Sequence, residues 1–142
     1  MTRIAVVGLH VLAVAVWLGG LLHTSHLVVP ALARGERGSL TLLTRARRIA
    51  WVAVALLLVT GLENLRHVRL DSPWLIAKVL LVLVLIPLAA HRDFGLVPRA
   101  ARALERGAPP AEALSGLRGL DHVLVLLAVV VLFLGIGIAR GR

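Results

Sequence analysis

Cysteine and tyrosine are absent from this sequence, and methionine occurs only as Met1. Without cysteine the chain cannot form a disulfide scaffold, a cysteine-ligated zinc site or a thiol nucleophile. Charged residues make up 16% of the 142 residues and aromatic residues 4%, whereas soluble domains carry about 25% charge. Aliphatic residues are abundant instead: 59% of the chain is hydrophobic and the mean hydropathy is +0.94. This composition excludes a disordered tail and indicates an integral membrane protein.

Acidic residues are also scarce, because seven Asp and Glu stand against sixteen Lys and Arg, for a net charge of +9. On a soluble chain this excess would suggest a nucleic-acid partner. Here the cations lie between apolar runs, where they act as topology signals. We therefore expect a lipid bilayer, and no nucleic acid, as the partner of this chain.

Four apolar segments predict four membrane-spanning helices. A span needs about 20 residues, and continuous apolar runs without alternation favour helices over strands. The expected fold is an all-α, integral membrane four-helix bundle that forms a single transmembrane domain over residues 1–142. The predicted helices cover about 4–33, 44–68, 73–94 and 112–139, with a basic cytoplasmic connection at 95–111. The second helix must carry charge at its ends, since only fourteen uncharged residues separate Arg48 from Glu63.

The arginines predict how these helices are oriented. Ten of them lie in the first and third connections, and five lie at the termini and in the second connection. The positive-inside rule then places the first and third connections in the cytoplasm and both termini outside. The expected location is the inner (plasma) membrane, crossed several times. Arg99, Arg102 and Arg106 recur at helical spacing and predict a helical extension at the anionic lipid surface.

Six histidines and the single lysine fall at two depths of the predicted bundle. The outer level holds His10, His67 and Lys78, and the cytoplasmic half holds His23, His26, His91 and His122. Ionisable residues within a span are costly and are functional candidates by default. His10 has no polar neighbour in its own segment, so its imidazole needs a partner on another helix. The headgroup layer is the alternative location for His67 and His91, and outward snorkelling is the alternative for Lys78.

Two cofactor chemistries suit histidines in a helix bundle. Haem iron takes an axial imidazole, and copper also accepts imidazole. His23 and His26, three residues apart on one helical face, can form half of a metal site, with His10 and His122 as further candidate ligands. The lack of sulfur ligands favours haem b over copper. Trp17 lies on nearly the same face as His10 and belongs either to the core or to the wall of a flat-ligand pocket.

Three segments resemble known membrane proteins. HVLAVAVWLGGLL, a histidine seven residues before a tryptophan with a glycine pair behind it, resembles the first helix of the CopD-type copper-resistance domain and of the HemJ-type protoporphyrinogen oxidases. RARRIAWVAVALLLVTGL is similar to their second helix, and SPWLIAKVLLVLVLIPLAAHRDFG is similar to their third. The likeness covers about residues 8–95.

The resemblance implies a four-helix membrane protein. On the HemJ-like side, His10 and Lys78 are the functional pair, and that family is associated with haem b and with oxidation of protoporphyrinogen to protoporphyrin. The Tyr-Leu-Pro-Arg segment of that family is replaced here by HTSH at 23–26. The VVPAL that follows is closer to the CopD-like relatives, which are linked to copper handling.

Together these observations predict a haem b-binding redox protein, acting in electron transfer or porphyrinogen oxidation. His10 is the expected axial ligand and Lys78 the expected catalytic residue, with Trp17, His67 and His91 beside the cofactor. A porphyrin or quinone-like small molecule is the expected partner. The alternatives are a copper-binding or copper-transport membrane protein and a structural membrane subunit. The sequence leaves open whether the chain is an oxidoreductase and whether it forms a homo-oligomer.

Overall fold

The computed structural model describes residues 3–68 and 70–140, apart from the side chains of residues 139 and 140. Arg69, Arg142 and the side chain of Arg140, which contributed to the predicted orientation, lie outside the described residues. Within the described ranges every regular element is helical and no strand occurs, so the predicted all-α fold is confirmed. The α-helices are α1 (Arg3–His23), α2 (Val29–Ala33), α3 (Ser39–Leu65), α4 (Pro73–Ala90), α5 (Val97–Glu105), α6 (Pro110–Ala113) and α7 (Ser115–Arg140).

Three helical stretches are long and apolar enough to cross a membrane: Arg3–Ala33, Pro73–Glu105 and Ser115–Ile138. α3 has 27 residues, about 40 Å of helix, but its arginines lower its hydropathy. Large apolar side chains such as Leu83 and Phe133, 62% and 65% exposed, cover the outside of the bundle. Such a surface contacts lipid rather than water. The chain therefore has the architecture of a multi-pass membrane protein.

Two π-helical turns interrupt the long helices. The first π turn (Thr24–Val28) joins α1 to α2, and the second π turn (His91–Leu96) joins α4 to α5. Pro30 and Pro98 are the second residues of the helices that follow. A proline ring collides with the carbonyl group four residues earlier in a regular α-helix, and a wider turn relieves that collision. Because of the first π turn, the segment predicted as one helix over 4–33 changes register near its end.

The bundle consists of two helix pairs, because α1 packs along α3 and α4 packs along α7. All four helices meet in a central core formed by Trp17, Leu21, Ala53, Val54, Leu85, Ala89, Leu124 and Ala128. A second core lies at one end, formed by Val28, Val29, Leu32, Leu43, Val97, Ala100, Leu104, Leu114 and Leu117. We call this end the basic end, because the exposed arginines of α5 and of the connection after α2 lie there. The opposite end, where α1 begins, is the terminal end.

The two halves of the chain share an order of elements: a long helix, a π turn, a short helix with a proline at its second residue, and another long helix, which in the second half is preceded by α6. Thr24 and Arg92 lie at equivalent places, 68 positions apart, and bond to each other. The same spacing separates Pro30 from Pro98 and His10 from Lys78. His10 and Lys78 are therefore equivalent residues of the two halves.

Candidate functional site

His10 finds its partner on the neighbouring helix. The ring nitrogen Nδ1 lies 2.8 Å from the Thr60 hydroxyl oxygen of α3. Thr60 is buried, with 6% of its surface exposed, and His10 itself is half-buried. The expectation that this imidazole bonds to another helix is met by Thr60.

The hydrogen bonds of Thr60 determine which nitrogen of His10 carries the proton. The Thr60 hydroxyl donates its one proton to the Leu56 carbonyl oxygen at 2.6 Å. Its oxygen must therefore accept a hydrogen bond from His10, so Nδ1 is the nitrogen that carries the proton when the ring is neutral. Nε2 keeps its lone pair and can bind a metal ion or accept a hydrogen bond. Metal-binding histidines are typically oriented in this way by a second residue.

Lys78 lies within electrostatic range of His10, although the two belong to different helix pairs. Each of the two side chains packs against a glycine of a neighbouring helix. A methyl group at Gly61 would lie 3.5 Å from His10 Cε1, and a methyl group at Gly135 would lie 3.2 Å from Lys78 Nζ. Gly61 and Gly135 occupy equivalent places in α3 and α7, each eighteen residues after a buried leucine, Leu43 or Leu117. Equivalent positions of the two halves thus carry an imidazole in one half and an ammonium group in the other.

The other residues predicted to bind a cofactor lie elsewhere. Trp17 is buried in the central core, and His67 is exposed in the turn after α3. His91 is exposed at the start of the second π turn, towards the basic end. Among the predicted cofactor residues, His10 and Lys78 lie within electrostatic range of each other.

The predicted metal ligands are not gathered into one centre. His23, His26 and His122 are exposed, and the Nδ1 atoms of His26 and His122 bond to backbone carbonyls of Leu22 and Arg118 at 3.1 and 2.7 Å. Over residues 3–68 and 70–140, no three His, Asp or Glu side chains come close enough to hold a metal ion. The described residues therefore provide no copper centre with three or more such ligands.

The cavity between the helices is too small for haem b. A cavity of about 30 Å³ lies beside Trp17 and Gly20, between the four helices. That volume suits a single water molecule, whereas pockets for drug-sized ligands and cofactors are typically about 300–1,000 Å³. His10 is not part of its wall. This cavity therefore does not bring His10 and Trp17 together around a flat macrocycle.

A buried charge cluster at the basic-end side of this cavity escaped the sequence analysis. Arg92, Asp93 and Asp121 are 6%, 5% and 2% exposed. The Arg92 guanidinium donates from Nε and Nη2 to the Asp121 carboxylate, and from Nη1 to Asp93 Oδ1 at 2.7 Å. Nη2 also donates to the Thr24 hydroxyl at 3.1 Å, and Trp51 Nε1 donates to Asp93 Oδ2 at 2.9 Å. We call these five residues the Arg92 cluster.

In the sequence Arg92 counts among the topology-determining arginines, and its pairing with Asp121 is not among the predictions. A signal was present: an aspartate followed by eighteen uncharged residues opens the fourth helix, and Arg92 and Asp93 end the apolar run of the third. Opposite charges at the same predicted depth on two helices are expected to pair when both are buried.

Comparison with known proteins identifies the family. The family model of copper resistance protein D (CopD) matches residues 40–138, from α3 through almost all of α7. No curated protein and no solved structure matches the chain. The CopD part of the predicted resemblance is thus confirmed, while the HemJ-like part stays a prediction. Because the match covers well over half of the 142 residues, the chain belongs to the copper resistance protein D family.

Proposed function

We propose that this protein carries copper into or across the membrane, with the ion as cargo and not as a resident cofactor. The observation that supports this function is the His10 imidazole, whose Nε2 lone pair is kept free by the bond from Nδ1 to Thr60. Imidazole is a good copper ligand, and membership of the CopD family makes copper the ion to test first.

The surroundings of His10 suit a transient site rather than a storage site. A single imidazole gives a weak copper site, and the nearby Lys78 ammonium repels a cation. Glu63, an acidic residue at this end of α3, pairs with Arg66 at 3.0 Å. Its negative charge is therefore offset by Arg66, and the positive charge of Lys78 still repels a cation at His10. Ion passage needs binding that is favourable enough for entry and weak enough for release. Weak binding at His10 is therefore what a transport function requires.

The orientation of the site follows from the arginine distribution, which we propose reflects the topology in the inner membrane. With both termini outside, His10 lies about two turns inside the outer end of α1. Copper would then meet His10 first from outside. His23, His26 and His122, at the basic end, are the candidate ligands on the cytoplasmic side.

Copper uptake by vesicles containing the purified protein tests this function. We expect cuprous ion to enter vesicles with the native protein, and His10→Ala to reduce the initial rate about tenfold or more. His67→Ala is the matched control, because His67 is an exposed histidine near the same end, and its rate should stay native. Equal rates for the native protein and His10→Ala would refute the proposal.

A haem-binding redox function is the second candidate, because a cation beside His10 also suits the propionate groups of a haem. Lys78→Met separates the two functions. If copper binds at His10, loss of the neighbouring charge should strengthen copper binding, on the order of tenfold. If haem binds there, the same change should weaken haem binding. A visible spectrum of the reduced and oxidised protein shows directly whether a Soret band is present.

A further inference from the structure

The Arg92 cluster connects both halves of the chain through one guanidinium. Its partners come from the first π turn (Thr24), the second π turn (Asp93) and α7 (Asp121). α3 joins through Trp51, which bonds to Asp93. The contact between Thr24 and Arg92 is made by equivalent residues, so it lies at the junction of the two halves.

Such a cluster is a costly feature of a membrane-spanning bundle. Taking each ion out of water is costly, and the attraction within a well-formed pair at best offsets that cost. A hydrophobic contact in the same place would hold the helices together equally well. Ionisable groups inside membrane proteins are therefore functional candidates, most often along a pathway.

The cavity lies directly against the cluster. Thr24, Arg92 and Asp93 form part of its wall, together with Arg47. Three pairs of equivalent residues line it. Leu21 with Ala89 and Thr24 with Arg92 are 68 positions apart, and Ala50 and Leu124 each lie seven residues after Leu43 or Leu117. The cavity therefore lies between the two halves, and its 30 Å³ leaves room for about one water molecule.

Arg47 closes the side of the cavity next to the second π turn. Its guanidinium lies 5.4 Å from the centre of the Phe94 ring and donates to the Asp93 carbonyl oxygen at 3.3 Å. Arg47 is half-buried and Phe94 is 60% exposed. A charged, partly exposed group thus separates the cavity from the surroundings of the basic end.

The two π turns supply a means of movement. A π turn contains one extra residue in the turn, and a change of register between π and α rotates the residues that follow. Thr24 belongs to the first π turn, and Arg92 and Asp93 to the second. A register change in either turn moves one partner of the Arg92 cluster relative to the others.

We propose that the Arg92 cluster is a gate at the basic end of a polar passage between the two halves. While Arg92 bonds to Asp121 and Thr24, the cavity is narrow and has room for about one water molecule. When these bonds part, the cavity widens and opens past Arg47 to the aqueous phase at the basic end. This inference rests on the geometry of the cluster and the cavity, and it does not depend on copper as the cargo.

Accessibility of a single cysteine at Gly20 tests the gate. Gly20 lines the cavity, and a Cβ atom there has no neighbour within 4 Å. The chain has no cysteine of its own, so a positively charged methanethiosulfonate reagent modifies only the introduced thiol. The reagent is added to sealed vesicles of either orientation, and rapid modification of Gly38→Cys, in the exposed connection, shows which side carries the basic end.

We expect slow modification of Gly20→Cys from the basic end in the native background. Asp121→Asn should raise that rate about tenfold or more, and Thr24→Val should raise it severalfold because it removes one neutral contact of Arg92. Gly19→Cys, an exposed position at almost the same depth, is the matched control and should not respond to either change.

Three results would overturn the gate. The first is Gly20→Cys that reacts as fast as Gly38→Cys in the native background. The second is a Gly20→Cys rate that neither substitution changes. The third is an equal increase at Gly19→Cys, which would indicate general loosening of the bundle. If Asp121→Asn fails to fold, the Thr24→Val comparison alone decides between support and rejection.

Discussion

At the scale of single residues, the chemistry of His10 depends on a hydroxyl group 50 positions away in the sequence. Thr60 has one proton and gives it to the backbone of its own helix, so the imidazole has to donate. The sequence indicates that His10 needs a polar partner, but not which one. Thr60 becomes that partner because α1 and α3 pack side by side with one particular register.

Thr60→Val tests the orientation of His10. The change keeps the shape of the side chain and removes the acceptor, so Nδ1 loses its bond and both ring nitrogens compete for the proton. We expect copper affinity to fall about 10–100-fold, the usual effect of losing a residue that orients a metal ligand. Thr60→Ser keeps the hydroxyl group and is the control. Native affinity in Thr60→Val, measured by competition with a cuprous chelator, would contradict the assigned orientation.

Asp121→Asn tests the burial of the Arg92 cluster. Loss of one partner leaves the guanidinium incompletely compensated in a buried place, which costs about 3–5 kcal/mol in the free energy of unfolding. Glu36→Gln is the control: Glu36 pairs with Arg34, both side chains are more than half exposed, and such pairs contribute about 1 kcal/mol or less. Unfolding in detergent compares the two variants. Equal, small effects would show that the Arg92 cluster is solvated.

At the scale of elements, hydropathy identifies three of the long helical stretches as membrane-spanning. The arginines of α3 make that helix less apolar, and hydropathy does not predict the π turns. An apolar run shows that a segment crosses the bilayer, but the period of 3.6 residues assumes an unbroken α-helix. His23 and His26 illustrate the consequence, because their predicted shared face spans the boundary between α1 and the first π turn. The prolines at 30 and 98 are visible in the sequence, whereas the register change that they favour depends on packing around Thr24 and Arg92.

The short helices α2 and α5 are both followed by Arg-Gly, and the two glycines adopt positive φ angles of 89° at Gly35 and 83° at Gly107. Gly107→Ala should lower the free energy of unfolding by about 1–2 kcal/mol, because a Cβ atom is strained in the left-handed region. Gly38→Ala, at a φ of −57°, is the control and should be close to neutral. Thermal unfolding of both variants checks this expectation, and equal stability would contradict it.

At the scale of the whole molecule, the chain consists of two similar halves with different residues at equivalent positions: His10 with Lys78, and Thr24 with Arg92. Membrane transporters built from repeats bind their cargo where the repeats meet. The sequence predicts that His10 and Lys78 share a level. It does not predict the Arg92 cluster, because a count of charges per connection contains no information about burial.

The orientation of the bundle is tested by the rate at which an impermeant thiol reagent modifies Gly38→Cys in intact cells. The ten arginines in the first and third connections predict that the basic end faces the cytoplasm. An impermeant reagent should therefore modify this thiol only after the membrane is opened. Rapid modification in intact cells would show that the predicted orientation is wrong and that the basic end faces outward.

Cuprous-ion binding to the purified protein is the most direct test of the central claim, that the interior imidazole of His10 takes copper. In a competition titration with a cuprous chelator, we predict one weakly bound ion per chain in the native protein and loss of that ion in His10→Ala. His91→Ala, which removes an exposed histidine, should leave it unchanged. Unaltered copper binding in His10→Ala would contradict the claim.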